Sequence, residues 1–526
     1  MAAARNPAAH GVDLDDIQAL LRFGLKHHTE CCLLLLRVRD APAARAWLAQ
    51  APIASAVAVT PLPATLLQVA LSAPGMLALG ISADLVQRFS PEFIGGMGTD
   101  PNRARRLGDI GEGDPRHWRW GGAGDVPHVL AMLYALPGQL ATFRQAVIDQ
   151  CAAGFDVTLA LVANDMNGKE PFGFADGIAQ PQPDWRRVRP VQDRDVLAYT
   201  NLSCLGEFVL GYPNEYGRYT DRPLLDPTML DPALLDPALL DPTAGTAQSL
   251  PRAEEAPAVL DLGRNGSYLV LRQLQQDVRG FWQYLDRQAG GDAAQRQALA
   301  EAMVGRRMSG EPLLPRAERT IDGVGPDPAD LRRNGFLYDA DPEGVRCPLG
   351  AHIRRSNPRN ADLPRGAAGL LARLRLIFGF KRSALPEDLV ASTRFHRLLR
   401  RGRAYGAAPH APEQLLDGAD APESGLYFMC LNANLSRQFE FVQGAWQMST
   451  KFAGRRDETD PLLGNRCPVP GLATVDTFSQ PQAAGPDRRA HDLPRFVSVV
   501  GGGYFFLPGI RALRFLVQNT SSPVGS

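Results

Sequence analysis

The sequence predicts an α+β protein made of two lobes with antiparallel sheets, and three observations carry that expectation. Strand-like and helix-like stretches alternate in a βαββαβ-like order through the first third. The same grammar returns in the second half. Between them, LLDPTMLDPALLDPALLDPT (224–243) repeats Leu-Asp-Pro four times at a period of five, and proline at that spacing interrupts helix and central strand alike. That segment is expected to form a surface loop or short turns, with little bearing on function.

The elements follow in order. Residues 30–38 (ECCLLLLRV) form a continuous apolar run of strand length, and APAARAWLAQ (41–50) is an Ala-rich helix. TLLQVALS (65–72) suggests a strand, SADLVQRF (82–89) a helix opened by Ser and Asp, and HVLAMLYAL (128–136) another strand. GQLATFRQAVIDQC (138–151) gives a helix and FDVTLALVA (155–163) a strand that alternates in its first half. In the second half SYLVLRQL (267–274) is strand-like and DVRGFWQYL (277–285) starts a helix. LYFMCLNANL (426–435) is again strand-like, SRQFEFVQGAWQ (436–447) helical, and the apolar run at 496–507 closes the series. The expected division is a first lobe over 13–220, an insertion over 221–255 and a second lobe over 256–515.

Composition narrows the functional classes. The 526 residues are 45% hydrophobic and 21% charged, which suits a large globular protein and restricts disorder to local stretches. Fifty-six basic residues balance fifty-six acidic ones, so binding nucleic acid through bulk charge is excluded. Only four of the basic residues are Lys; the other fifty-two are Arg, a supply of rigid guanidinium donors. Seven cysteines (31, 32, 151, 204, 347, 430 and 467) include no CxxC pair, which suits free thiols in a reducing compartment better than a zinc site or a disulfide framework. The first residues show neither the apolar core of a secretory signal nor a twin arginine, and no apolar run reaches the ~20 residues of a membrane span. A cytoplasmic protein without membrane attachment is expected.

Two stretches concentrate turn residues, one ionisable group and apolar neighbours. In PFGFADGIAQPQP (171–183), glycines and prolines forbid a regular helix and set Asp176 on a tight loop among Phe172, Phe174 and Ile178. A carboxylate in apolar surroundings gains proton affinity, which suits proton exchange; an ordinary surface Asp-Gly turn is the alternative. In RCPLGAHIRRSNPR (346–359), His352 follows a turn and precedes Arg354, Arg355 and Arg359. An imidazole among guanidiniums is held from protonation and suits metal ligation, while the arginines suit an anionic ligand; a basic surface loop is the alternative. A third stretch, RLLRRGRAYG (397–406), reads in isolation as a helix C-terminus. No HExxH, HxH or Cys/His cluster is present.

Taken together and in order, FGFADG (172–177), CPLGAH (347–352) and LLRRGRAYG (398–406) resemble the dye-decolourising (DyP-type) haem peroxidases, whose GxxDG signature stands here as Gly173 to Gly177. GEFVLGYPNEYG (206–217), NGSYLVLRQLQQDVRGFW (265–282), NRCPVPGL (465–472) and FVSVVGGGYFFLPG (496–509) extend the resemblance to the longer bacterial and fungal members, from about residue 13 to about 510. The resemblance implies two ferredoxin-like lobes with haem b between them and a peroxidase that reduces hydrogen peroxide and oxidises bulky dyes and phenols. His352 is then the ligand of the haem iron, Asp176 the distal acid–base residue and Arg400 its partner, with Arg401 as the fallback. Leu426 and Phe428 line the distal pocket, Glu440 accepts from the second nitrogen of His352, and Arg354 pairs with a haem propionate. Trp282, Trp446 and Tyr427 are candidate relays for electrons from bulky donors. A segment lengthened over about 360–395 separates His352 from Arg400. The competing functional reading is a haem-handling or haem-iron-release protein without turnover, and a cofactor-free binding protein is a third. The expected partners are peroxide and an organic donor, in a monomer or a homodimer.

Overall fold

The computed structural model describes residues 11–189, 199–227, 250–318, 321–324, 328–361, 393–408, 410–418, 421–467 and 474–518. Most of the Leu-Asp-Pro repeat (228–249) and most of the lengthened segment (362–392) therefore lie outside the described residues.

In the first half the chain runs β1 (Glu30–Val38), α1 (Ala41–Gln50), β2 (Thr65–Leu71), β3 (Val129–Ala135), α2 (Leu140–Cys151) and β4 (Phe155–Val162). The four strands are antiparallel in the spatial order β4-β1-β3-β2, with Leu33 opposite Met132 in β3 and opposite Leu161 in β4. In the second half it runs β5 (Ser267–Gln276), α3 (Val278–Ala289), α4 (Ala293–Val304), α5 (His352–Ser356), β6 (Leu399–Arg400), β7 (Arg403–Gly406), β8 (Ser424–Asn432), β9 (Val497–Leu507) and α6 (Ile510–Gln518). Its strands take the matching order β9-β5-β8, with β6 and β7 both on the far edge of β8. The ferredoxin-like pattern thus occurs twice. The halves meet edge to edge where Phe506 of β9 pairs with Leu71 of β2, so nine strands share one sheet.

Local chemistry accounts for the element ends. Asp40, Asp277 and Asp292 cap α1, α3 and α4 by accepting from Ala43, Gly280 and Gln295 N–H groups, and α3 and α4 end on left-handed Gly290 and Gly305. The expected helix at 82–89 is shorter, Ala83–Val86 under a Ser82 cap. The helical stretch at 436–447 forms as two wide π-type turns, Ser436–Glu440 and Val442–Gln447. α4 was not separately legible, because its Ala-rich sequence has no distinct apolar stripe.

Strand alternation assigns the sheet two faces. Leu33, Leu35, Leu130, Met132, Leu269, Leu271, Tyr427 and Met429 pack on one. On the other, α1 and α6 cover the first half through Ala44, Leu48, Leu513 and Leu516. Over the second half that face meets α3, α4 and the GxxDG loop, with Leu274, Phe281, Trp282, Met303, Phe172 and Phe174 in contact. At Gly501, where β9 bulges, a Cβ would stand 2.3 Å from the Trp120 indole nitrogen, so the chain can only pass there as glycine.

Candidate functional site

A cavity of about 570 Å³ lies against this second-half face of the sheet. Its floor is built by alternate residues of three strands: Arg272, Leu274 and Gln276 from β5, Leu426 and Phe428 from β8, Val497 and Val499 from β9. The GxxDG loop, which follows β4, forms one wall with Asp176, and α5 places His352 in another. Asp176, Arg400, His352, Leu426 and Phe428, separated by up to 252 positions in sequence, all line this one cavity.

His352 opens α5 directly after the Cys-Pro-Leu-Gly-Ala turn. Its Nδ1 lies 2.8 Å from Oδ2 of Asp460. The other oxygen of Asp460 accepts from the backbone N–H groups of Leu462 and Leu463, each at 2.9 Å. Burial alone would raise the Asp460 carboxyl, yet His352, these N–H bonds and Arg355 together hold it below the ordinary carboxylate range. An ionised Asp460 only accepts, so Nδ1 of His352 carries a hydrogen, and in the neutral ring Nε2 keeps its lone pair. Arg355 fixes the geometry from beneath: fully buried, it donates to the carbonyls of Gly350, Trp446, Ser449 and Glu458, tying α5 to the segment that bears Asp460.

Glu440 is not the partner of His352. It sits in a π-type turn and is taken up by Arg103 at 2.8 Å, Arg106 at 3.1 Å and the Tyr504 hydroxyl at 3.0 Å. The extra residue in a π turn rotates the side chains that follow, so an α-helical reading of 436–447 misdirects Glu440. Arg354 also departs from expectation. Buried and stacked over Tyr338 at 4.4 Å, it donates to the Cys347 and Asp341 carbonyls and to the Asp341 carboxylate.

Asp176 is exposed and lines the cavity, while Phe172 and Phe174, which also border it, are buried in the core. The apolar shielding expected for Asp176 is thus provided to the loop rather than to its carboxylate. The two arginines following Leu399 separate cleanly. Arg400 donates to the carbonyl of Ala179, three residues beyond Asp176, and its own N–H binds the Gln180 side chain. Arg401 turns the other way, donating to the carbonyls of Leu20 and Leu21. Burial lowers its guanidinium to about 10. Trp282, Trp446 and Tyr427 are all buried; Tyr427 borders the cavity and stacks on Tyr405 at 4.5 Å.

The cavity is also rich in unbalanced positive charge. Arg306 donates to the carbonyls of Gly310 and Arg333, and Arg359 to those of Asn334 and Phe336. Among the described residues neither reaches a carboxylate. Burial, with Arg359 and Arg400 nearby, brings Arg306 down to about 10. Among the described residues no three His, Cys, Asp or Glu side chains converge on a metal site. Asp460 and Arg306 were missed as site residues because their sequence neighbourhoods, an Asp-Pro turn and an arginine in a loop, are common on surfaces, whereas Arg359 is one of the three arginines that the sequence sets beside His352.

No family model matches the chain. It is 32% identical over 261 residues to the multifunctional dye peroxidase DyP2 of Amycolatopsis sp., an alignment that spans about half of each chain, 48% and 49%. It is 26% identical to the dye-decolorizing peroxidase AauDyP1 of Auricularia auricula-judae over 97% of this chain and 88% of that one. With the msp1 dye-decolorizing peroxidase of Mycetinis scorodonius it shares 25% over 98% and 90%. The solved fungal DyP-type peroxidase from Auricularia auricula-judae superposes with a TM-score of 0.68 at 24% identity, covering 97% of this chain and all of the other. A dye-decolorizing peroxidase in complex with 2,6-dimethoxyphenol gives 0.67 at 22%, over 96% and 100%. Over nearly its whole length the chain is therefore a homologue of the dye-decolourising peroxidases.

Proposed function

We propose that this protein is a haem b peroxidase that reduces hydrogen peroxide and oxidises bulky aromatic donors, dyes and phenols, in one-electron steps. The observation that carries the reading is the Asp460–His352 pair, whose histidine lines the same cavity as Asp176 and Arg400.

The residues present fit haem. His352 offers one oriented nitrogen, Leu274, Leu426, Phe428, Phe439 and Val442 give apolar walls, and Arg306 and Arg359 supply cationic groups for carboxylates. These two arginines, rather than Arg354, would hold the propionates. When bound, haem supplies the iron at which peroxide is taken up and stores two oxidising equivalents for later donors.

The chain's own groups then perform the proton work. The Asp176 carboxylate removes the proton from one peroxide oxygen and returns it to the other, so that the second oxygen leaves as water. Arg400, held by Ala179 and Gln180, donates to the departing oxygen and stabilises its growing negative charge. Asp460 keeps Nδ1–H of His352 engaged and so raises the basicity of the ligating nitrogen. Bulky donors exceed this cavity, which supports electron transfer through buried aromatics, with Tyr427 and its stacked neighbour Tyr405 the best-placed pair. Seven unpaired thiols, six of them buried, support a reducing, cytoplasmic compartment, and among the described residues no helix is long and apolar enough to cross a membrane.

The test is the absorption spectrum of haem-loaded protein before and after peroxide, followed by dye and phenol oxidation at acidic pH. A peroxide-dependent spectral change that donors reverse is expected. An unchanged spectrum without donor oxidation rejects turnover and favours haem handling.

A further inference from the structure

The wall that bears Asp176 is a small hairpin closed by its own backbone: Asp176 N–H to Gly168 at 2.9 Å, Glu170 N–H to Phe174 at 2.9 Å and Gly173 N–H to Glu170 at 2.8 Å. Gly173, at φ +98°, makes the turn. Inside it stands a second carboxylate. Oε1 of Glu170 accepts from Phe174 N–H at 3.0 Å, and Oε2 accepts from Phe172 N–H at 3.0 Å and from the Gln276 side-chain amide of β5 at 2.8 Å. One side chain thus satisfies two loop donors and anchors the loop to the cavity floor.

We propose that Glu170 is a positioning residue that sets the turn presenting Asp176 to the cavity. The proposal rests on the role given to Asp176 above. Glutamine cannot replace the ionised Glu170, because three N–H donors converge on the two carboxylate oxygens and a carboxamide would turn an N–H₂ group against one of them. Loss of that bond frees the Phe172–Phe174 segment, and Asp176, two residues further on, loses its fixed direction.

The experiment, run at about pH 8 so that Glu170 is ionised, pairs amide hydrogen exchange on the full chain, with and without haem, with stopped-flow peroxide kinetics of haem-loaded wild type, E170Q, D176N and the double variant. E170Q is expected to speed exchange at Phe172 and Phe174 at least tenfold. It should lower kcat/KM for peroxide about tenfold, leave KM for the organic donor unchanged and add nothing in the D176N background. Gln276→Leu, which keeps the carboxylate, should act in the same direction with a smaller effect and replaces E170Q if that variant does not fold. Unchanged exchange overturns the proposal, as does an equal kinetic loss with and without Asp176. If D176N alone reacts at the wild-type rate, the peroxidase role of Asp176 falls, and the exchange result then decides whether Glu170 sets the turn.

Discussion

Asp460 binds Nδ1 of His352 at 2.8 Å with one oxygen while the other is held by two backbone N–H groups, so the carboxylate has no freedom to turn away. Asp460 itself is 0% exposed, while His352 borders the cavity. Asp460→Asn keeps the size but weakens the acceptor and can reverse the tautomer of His352. Loaded protein carrying Asp460→Asn should shift its reduction potential upward and react with peroxide about 10- to 100-fold more slowly. Redox titration and stopped-flow kinetics measure both, and a wild-type potential would show that the pair does not tune the ligand.

Asp176→Asn and Arg400→Leu should both retain haem, since neither residue is its ligand. Asp176→Asn removes the proton carrier and should slow the peroxide reaction by about 10²- to 10⁴-fold. Arg400→Leu removes a charge-stabilising donor, with an expected loss of about 10²-fold. Arg401→Leu, whose native side chain serves Leu20 and Leu21, should alter stability rather than rate. Single-turnover kinetics separate the three.

Arg359→Met and Arg354→Met are expected to diverge. Arg359 borders the cavity, and its substitution should weaken haem retention about tenfold, roughly 1.4 kcal/mol. Arg354 belongs to the Asp341 and Cys347 network, and breaking that buried pair should cost about 3 kcal/mol of stability while changing haem affinity little. Haem titration and urea unfolding distinguish them.

Stability should depend on pH through Glu170, whose carboxyl burial pushes up to about 7 from an ordinary value of 4.5, against the opposing hydrogen bonds. Because this pKa is raised, the folded protein holds the proton more tightly than the unfolded chain. The stabilisation is full below pH 4.5 and is lost as pH rises toward about 7, by about 2–3 kcal/mol. Urea unfolding across that window should show the decline, and E170Q should flatten it.

Much of this was legible in the chain. The apolar runs at 30–38 and 496–507 and the order of strands and helices were enough for two α+β halves, because period and turn residues are local properties. The GxxDG loop, His352 and the arginine before Arg401 were equally legible as ordered motifs. Glu440 and Arg354 were misassigned for a shared reason: which way a side chain points depends on whether a turn is α or π and on which neighbour claims it first. Arg103, Arg106 and Tyr504 claim Glu440, and Asp341 claims Arg354.

Local sequence thus sets what each segment can be: a strand, a turn that fixes Asp176 on a loop, a histidine at a helix start. Which groups meet is a property of the folded sheet. Asp460 reaches His352 across 108 positions and Gln276 reaches Glu170 across 106, and no local pattern encodes such pairs. They form because burial makes an unpaired polar group costly, and only the assembled core determines which polar groups are buried together.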